Sequence, residues 1–188
     1  MPLADQRLSD ITKALCERTP TPGGGAAAAI AAALGCAAGA MAARYTTGAK
    51  YLTLEAESLA LAELLTQTAN ACLQTADDDA IAYAALTAAR KNKDQLAITQ
   101  ATAAAIAVPA QLLALCAQHA ADLAAFRPRC NPYLVSDVNV GIHLLCGAGR
   151  AAWQTLLINQ PNDAVITVAR THLAALQLTE QGALETGT

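Results

Sequence analysis

The chain has 188 residues, 54% hydrophobic but only 3% aromatic and 14% charged, with a formal net charge of -3. That balance leaves no basic footprint for nucleic acid, and the scattered Lys and Arg lack interleaved aromatics. The length suits one domain spanning 1–188 with a core of Ala and Leu, which favours close-packed helices over a sheet, and charge well below the roughly 25% of an average soluble domain predicts a buried subunit interface.

The segment from Met1 to Asp10 is polar and lacks the apolar stretch of a secretory leader, which points to the cytoplasm. Leu8, Ile11 and Leu15 have helical spacing and predict a short amphipathic helix over about Leu3 to Cys16, with Ser9 or Asp10 near its start. Thr19-Pro20-Thr21-Pro22 cannot continue it, because proline removes a donor and pushes the preceding residue out of helical geometry. Gly23-Gly24-Gly25 then opens an Ala-dominated run to about Arg44, apolar on nearly every face, as befits the central helix of a bundle or dimer. Each helical glycine costs roughly 1 kcal/mol relative to Ala, so three together place the backbone close to a ligand or to another backbone. Free N–H groups at such a helix start suit a carboxylate, a phosphate or a carbonyl oxygen; a tight entry turn packed on a neighbouring helix fits as well. The run is long enough to span a membrane, but its Ala content, its opening glycines and the lack of a second such segment argue against insertion.

After Thr46-Thr47-Gly48 a third helix is predicted from near Thr53 to Arg90, with Leu54, Leu61, Leu64, Leu65 and Leu73 along one side. Asp77-Asp78-Asp79 interrupts its apolar pattern. Consecutive helical side chains point about 100° apart, so at least one of the three faces inward, where desolvation raises a carboxyl pKa toward values useful in proton transfer. Asp79, followed by Ala82 and Tyr83, is the prime candidate. A fourth helix from about Asp94 to Phe126 contains Pro109, which predicts a kink. Arg127-Pro128-Arg129-Cys130-Asn131-Pro132 reads as a loop, and Ser136-Asp137 as the cap of a fifth helix reaching about Asn159. Gln160-Pro161-Asn162-Asp163 caps a last helix that gives way to a polar tail after Leu178. The fold class is all-α, a bundle of about five to six helices.

Asn131 and Asp137 flank a loop-to-helix junction, where capping is their ordinary role. His119, His143 and His172 have no metal-ligand spacing, and the six cysteines, none in a C-x-x-C pair, read as reduced core residues. There is no nucleophile elbow, phosphate loop or dinucleotide fingerprint.

Taken in order, five pieces resemble the cyclodeaminase/cyclohydrolase family of folate enzymes, which includes the C-terminal domain of formiminotransferase-cyclodeaminase and stand-alone methenyltetrahydrofolate cyclohydrolases. They are Pro20-Thr21-Pro22-Gly23-Gly24-Gly25 with its small-residue helix, Thr46-Thr47-Gly48, Asp77-x-Asp79-x-x-Ala82-Tyr83, Val108-Pro109, and Asn131-Pro132-x-x-Val135-Ser136-Asp137-Val138. The resemblance implies a subunit that dimerises through the Ala/Gly-rich helix and binds a tetrahydrofolate derivative near the glycine turn, with no metal and no tightly bound cofactor. It implies Asp79, Asp137 and Lys50 as proton carriers, and Pro22, Gly23, Gly24, Gly25, Thr47, Gly48, Asp77, Tyr83, Asn131 and Ser136 as substrate contacts. Arg44, Lys50 or Arg129 would meet the glutamate tail. Ala26 stands where relatives often carry serine, Ala49-Lys50-Tyr51 is less basic than usual, and no proline follows the Asp-x-Asp helix. The reading is formiminotetrahydrofolate cyclodeaminase. The alternatives are methenyltetrahydrofolate cyclohydrolase and a non-catalytic folate-binding or scaffold dimer.

Overall fold

The computed structural model describes residues 1–185, so the last three residues of the expected 1–188 domain lie outside the described residues. Among the described residues there are six α-helices and no strand: α1 (Leu8–Cys16), α2 (Gly24–Arg44), α3 (Glu55–Asn92), α4 (Gln95–Phe126), α5 (Val135–Ile158) and α6 (Asp163–Glu185). Helix α2 lies between α3 and α5; α4 closes the bundle against both, and α6 covers α4 and α5. Alanine lets the helices come close. At the α2–α5 crossing a Cβ on Gly35 would stand 3.0 Å from the Gly141 carbonyl oxygen, and one on Gly141 2.9 Å from that of Gly35. Four buried cysteines, Cys36, Cys72, Cys116 and Cys146, come one from each of α2, α3, α4 and α5. Burial pushes the Cys146 thiol up to about 12 and that of Cys116 higher still, so both stay protonated and behave as small apolar residues.

Three boundaries differ from the sequence expectation, and the helix that holds Pro109 is continuous through it. Helix α1 starts at Leu8, because Gln6 and Arg7 are extended and a separate 3-10 turn, Leu3–Asp5, is tied to α3 by Leu3 N–H donating to Asp77 Oδ1 at 2.7 Å. Ser136 and Asp137 do not cap α5; they sit in its first turn, and Asn131 caps the preceding 3-10 turn, its Oδ1 accepting from Tyr133 N at 3.1 Å. Helix α6 continues past Leu178 to Glu185, because Leu176 and Ala183 are buried and Glu180 pairs with Arg150 and His143 of α5. Pro109 does not interrupt α4. The carbonyl its missing N–H would have bonded, that of Ala105 one turn earlier, accepts from Asn159 Nδ2 at 2.9 Å.

Length and composition would let α2 cross a membrane, and contrary to expectation the segment Gln95–Arg129 shares that property. In the bundle most of the apolar window of α2 is buried against its neighbours.

Candidate active site

Helix α2 begins where the backbone of Gly23 is extended, with Gly24 as its first helical residue. Its first turn leaves N–H groups without intrahelical partners. One of them, Ala26 N–H, donates to the Asp79 carboxylate. The approach is so close that a Cβ on Gly25 would overlap all three atoms of the Asp79 carboxyl group. The neighbour that the glycine run accommodates is therefore the chain's own carboxylate. Gly23 and Gly24 are different: a Cβ there would meet nothing nearer than 3.8 Å.

Asp79 is held at one side of a cleft of about 240 Å³. Burial pushes its carboxyl pKa above the ordinary range, opposed by the hydrogen bond from Ala26 N–H. The glycine turn and Tyr83 form neighbouring walls, and Val108 on α4, Thr155 on α5 and Asn159 at the end of α5 complete it. Asn159 Nδ2 also donates to Thr155 O at 3.0 Å, so one side chain fixes the end of α5 and the proline-freed carbonyl of α4 together. Pro22 itself does not line the cleft, although Pro20 and Thr21 do.

Asp77, two residues before Asp79, is turned to the Leu3–Asp5 segment, with Oδ1 on Leu3 N and Oδ2 buried without a hydrogen-bond partner. Thr47, Gly48, Lys50, Asn131, Ser136 and Asp137 are brought together, but not with Asp79. They gather at the C-terminal end of α2, about 31 Å along a helix of 21 residues rising 1.5 Å each. There Asn131 N donates to Thr46 Oγ1 at 3.0 Å and Asn131 Nδ2 to Tyr45 O at 3.1 Å. Thr47 Oγ1 closes α2 by donating to Arg44 O at 3.0 Å. Gly48 has φ +86, a conformation that L side chains rarely adopt. Lys50 is exposed, and Ser136 Oγ lies 3.4 Å from Asp137 Oδ2. Of the cations suggested for a glutamate tail, Arg44 donates to Thr66 Oγ1 at 2.9 Å and Arg129 is paired with Glu57.

Sequence reasoning missed Asn159 and Thr155. Pro109 carried the available signal: a proline inside a helix orphans the carbonyl four residues earlier, and a buried carbonyl requires a donor from elsewhere. Among the described residues no group of three His, Cys, Asp or Glu side chains could hold a metal ion. His119 instead links α3 to α4, with Nε2 3.2 Å from Thr68 Oγ1 and Nδ1 2.9 Å from Asp122 Oδ2.

An all-helical bundle that seats a desolvated carboxylate on a helix N-terminus, at the edge of a small cleft, has the parts for acid–base chemistry on a small molecule. The chain belongs to the formiminotransferase-cyclodeaminase family, whose model matches residues 7–173. This makes it an enzyme of the folate cyclodeaminase class. Its fold is that of the crystal structure of formiminotetrahydrofolate cyclodeaminase from Thermotoga maritima, at TM-score 0.91 and 23% identity, covering 97% of this chain and 96% of that one. No curated protein matches the chain.

Proposed function

We propose that this protein is a single-domain, cytoplasmic formiminotetrahydrofolate cyclodeaminase that works as a homo-oligomer without a tightly bound cofactor, Asp79 being its proton carrier. The observation that supports this most is the placement of Asp79, desolvated yet anchored by Ala26 N–H at the edge of the cleft. In the reaction N10 of the substrate attacks the carbon of the protonated formimino group on N5, forming a C–N bond and a tetrahedral carbon that carries a neutral amino group. The proton released from N10 passes to the Asp79 carboxylate, which returns it to the departing amino group. The C–N bond to that group breaks and ammonia leaves, giving methenyltetrahydrofolate. A carboxyl group with a raised pKa suits both transfers, since it accepts and gives back one proton near neutral pH. Tyr83 and the apolar cleft walls offer a face for the pterin ring. Asp137, Lys50 and the other residues at the far end of α2 are assigned to substrate holding.

The test is the near-ultraviolet band of methenyltetrahydrofolate. Purified protein mixed with 5-formiminotetrahydrofolate should make the band rise. An accelerated fall of the band with methenyltetrahydrofolate as substrate, and no rise with the formimino compound, would instead make the enzyme a cyclohydrolase. Silence in both assays from folded protein would favour the non-catalytic folate-binding reading.

A further inference from the structure

Pro109 removes one backbone hydrogen bond from α4, and the repair of that loss fixes a side chain at the cleft. Asn159 Nδ2 donates to Ala105 O at 2.9 Å and to Thr155 O at 3.0 Å. Only the amino half of an amide can face two carbonyl oxygens, so the two branches of this side chain are not interchangeable. Both Nδ2 hydrogens are spent inside the protein, and Oδ1 is what the residue has left to offer. Among the described residues Oδ1 has no partner, and the buried side-chain atoms in that state are Ser58 Oγ and Asp77 Oδ2. Asn159 Oδ1 is therefore open to solvent, on a residue that lines the Asp79 cleft. Thr155, one turn earlier on the same wall, also has its hydroxyl hydrogen spent, on Ala152 O at 2.9 Å. These two side chains leave that wall able to accept hydrogen bonds but not to donate them.

We propose that Asn159 is a specificity-determining residue, its Oδ1 accepting a hydrogen bond from the exocyclic 2-amino group of the pterin ring. The proposal rests on the reading of the cleft as a folate site. With Asp79 at the N5–N10 bridge, the α5 wall meets the opposite end of the bicyclic ring, whose outermost donor is that amino group. The acceptor is neutral and its side chain is held at two points, so it adds no second negative charge beside Asp79 and needs no reordering when the ring arrives. Pro109 takes part at a distance: by withholding an N–H it leaves the Ala105 carbonyl to hold Asn159 in place. The contact also discriminates. A ring with a methyl group in place of the amino group displaces water from Oδ1 and returns no donor, and a site built to hydrogen-bond rejects such an analogue more sharply than an apolar pocket does. Because the contact is remote from the reacting carbon and equal in the ground and transition states, it acts on KM and not on kcat.

Asn159→Leu alone would mix loss of the contact with loss of the link between α4 and α5, so the test is made in a Pro109→Ala background, where a restored backbone N–H serves the Ala105 carbonyl. The probe is 5-formyltetrahydrofolate, a stable folate with the same pterin ring, titrated by calorimetry. Adding Asn159→Leu to Pro109→Ala should raise its Kd about tenfold, as loss of a neutral hydrogen bond implies, although both proteins stay folded with similar melting temperatures. With the 5-formimino substrate KM should rise by a similar factor while kcat stays within about twofold. The 2-desamino-2-methyl analogue of the probe should bind the Pro109→Ala protein about tenfold more weakly than the probe does, and the double variant should bind the two alike. Equal Kd values for the two proteins, or an analogue penalty that survives Asn159→Leu, would overturn the proposal, as would failure of the wild type to bind the probe. Titration involves no turnover, so a wild type that binds the probe but leaves the methenyl band unchanged removes the cyclodeaminase assignment and not the contact.

Discussion

At the scale of single residues, Gly25 and Asp79 form one unit. Gly25→Ala would drive a methyl group into the carboxyl of Asp79 and must expel it; overpacking of this kind costs about 1–3 kcal/mol, and turnover should fall as far as in Asp79→Asn. Gly24→Ala has room beside Thr155 and should raise stability by about 0.5–1 kcal/mol through helix propensity. Thermal melts and turnover of the two variants check the contrast. Asp79→Asn keeps an oxygen for Ala26 N–H but cannot carry the proton, so kcat should drop about 100-fold or more. Its stability should move the other way. Burial raises the pKa of Asp79 in the folded state, so the native protein binds the proton more tightly than the unfolded chain, and stability is lost as pH rises from the ordinary carboxylate range through the raised value. At neutral pH the Asn variant should therefore melt no lower than the wild type, and its melting temperature should lack that decline with pH. Asp79 was legible from sequence because three aspartates interrupt an apolar helix and only a limited arc of α3 faces α2. The division of labour among them was not: Asp77 ties down the N-terminal segment through Leu3, a contact 74 residues distant in sequence.

At the scale of elements, the stability of α4 depends on the residue that caps the end of α5. Asn159→Leu would leave the Ala105 carbonyl without a donor beside Pro109, and an orphaned group of this kind costs about 1–3 kcal/mol. Chemical denaturation of Asn159→Leu, compared with a Pro109→Ala variant that restores the backbone N–H, checks the coupling: the second change should recover part of the loss. Helix α6 is clasped to α5 by Arg150 and Glu180. The Arg150 guanidinium, assisted by His143, holds the Glu180 carboxyl below the ordinary range, so the contribution is present above that range and fades as pH falls through the lowered value. Glu180→Gln should cost no more than about 1 kcal/mol, because Arg150 is 44% exposed, and acid unfolding profiles of wild type and variant should converge at low pH. Helix order and most ends were readable from prolines, glycines and apolar spacing. The end of α6 was not, because Thr179, Glu180 and Gln181 look like a solvated tail until Arg150 is seen opposite them.

At the scale of the whole molecule, the core is small-residue packing around four cysteines in the heart of the bundle. Burial keeps every cysteine but Cys16 out of reach and holds the Cys116 and Cys146 thiols protonated, whereas Cys16 is exposed, so a thiol-reactive dye should label one of the six cysteines quickly and the others only on unfolding. Counting labels before and after denaturant checks this. The low charge and apolar central helix made the helical bundle legible. The separation of the candidate residues into two distant groups could have been foreseen from the length of α2 alone, since the glycine turn and Thr46-Thr47-Gly48 bracket that helix.

The carboxylate seated on the N-terminus of α2 also inverts the usual polarity of such a helix end. An open helix start gathers phosphate and sulfate; this one already holds its counterion, covalently attached and in fixed orientation. On the proposed assignment the cleft offers its carboxylate to positive charge, the amidinium-like carbon of the substrate and the delocalised cation of the product. Buffer anions should therefore be poor competitors, and a stable amidinium mimic of the one-carbon bridge should be the more effective inhibitor.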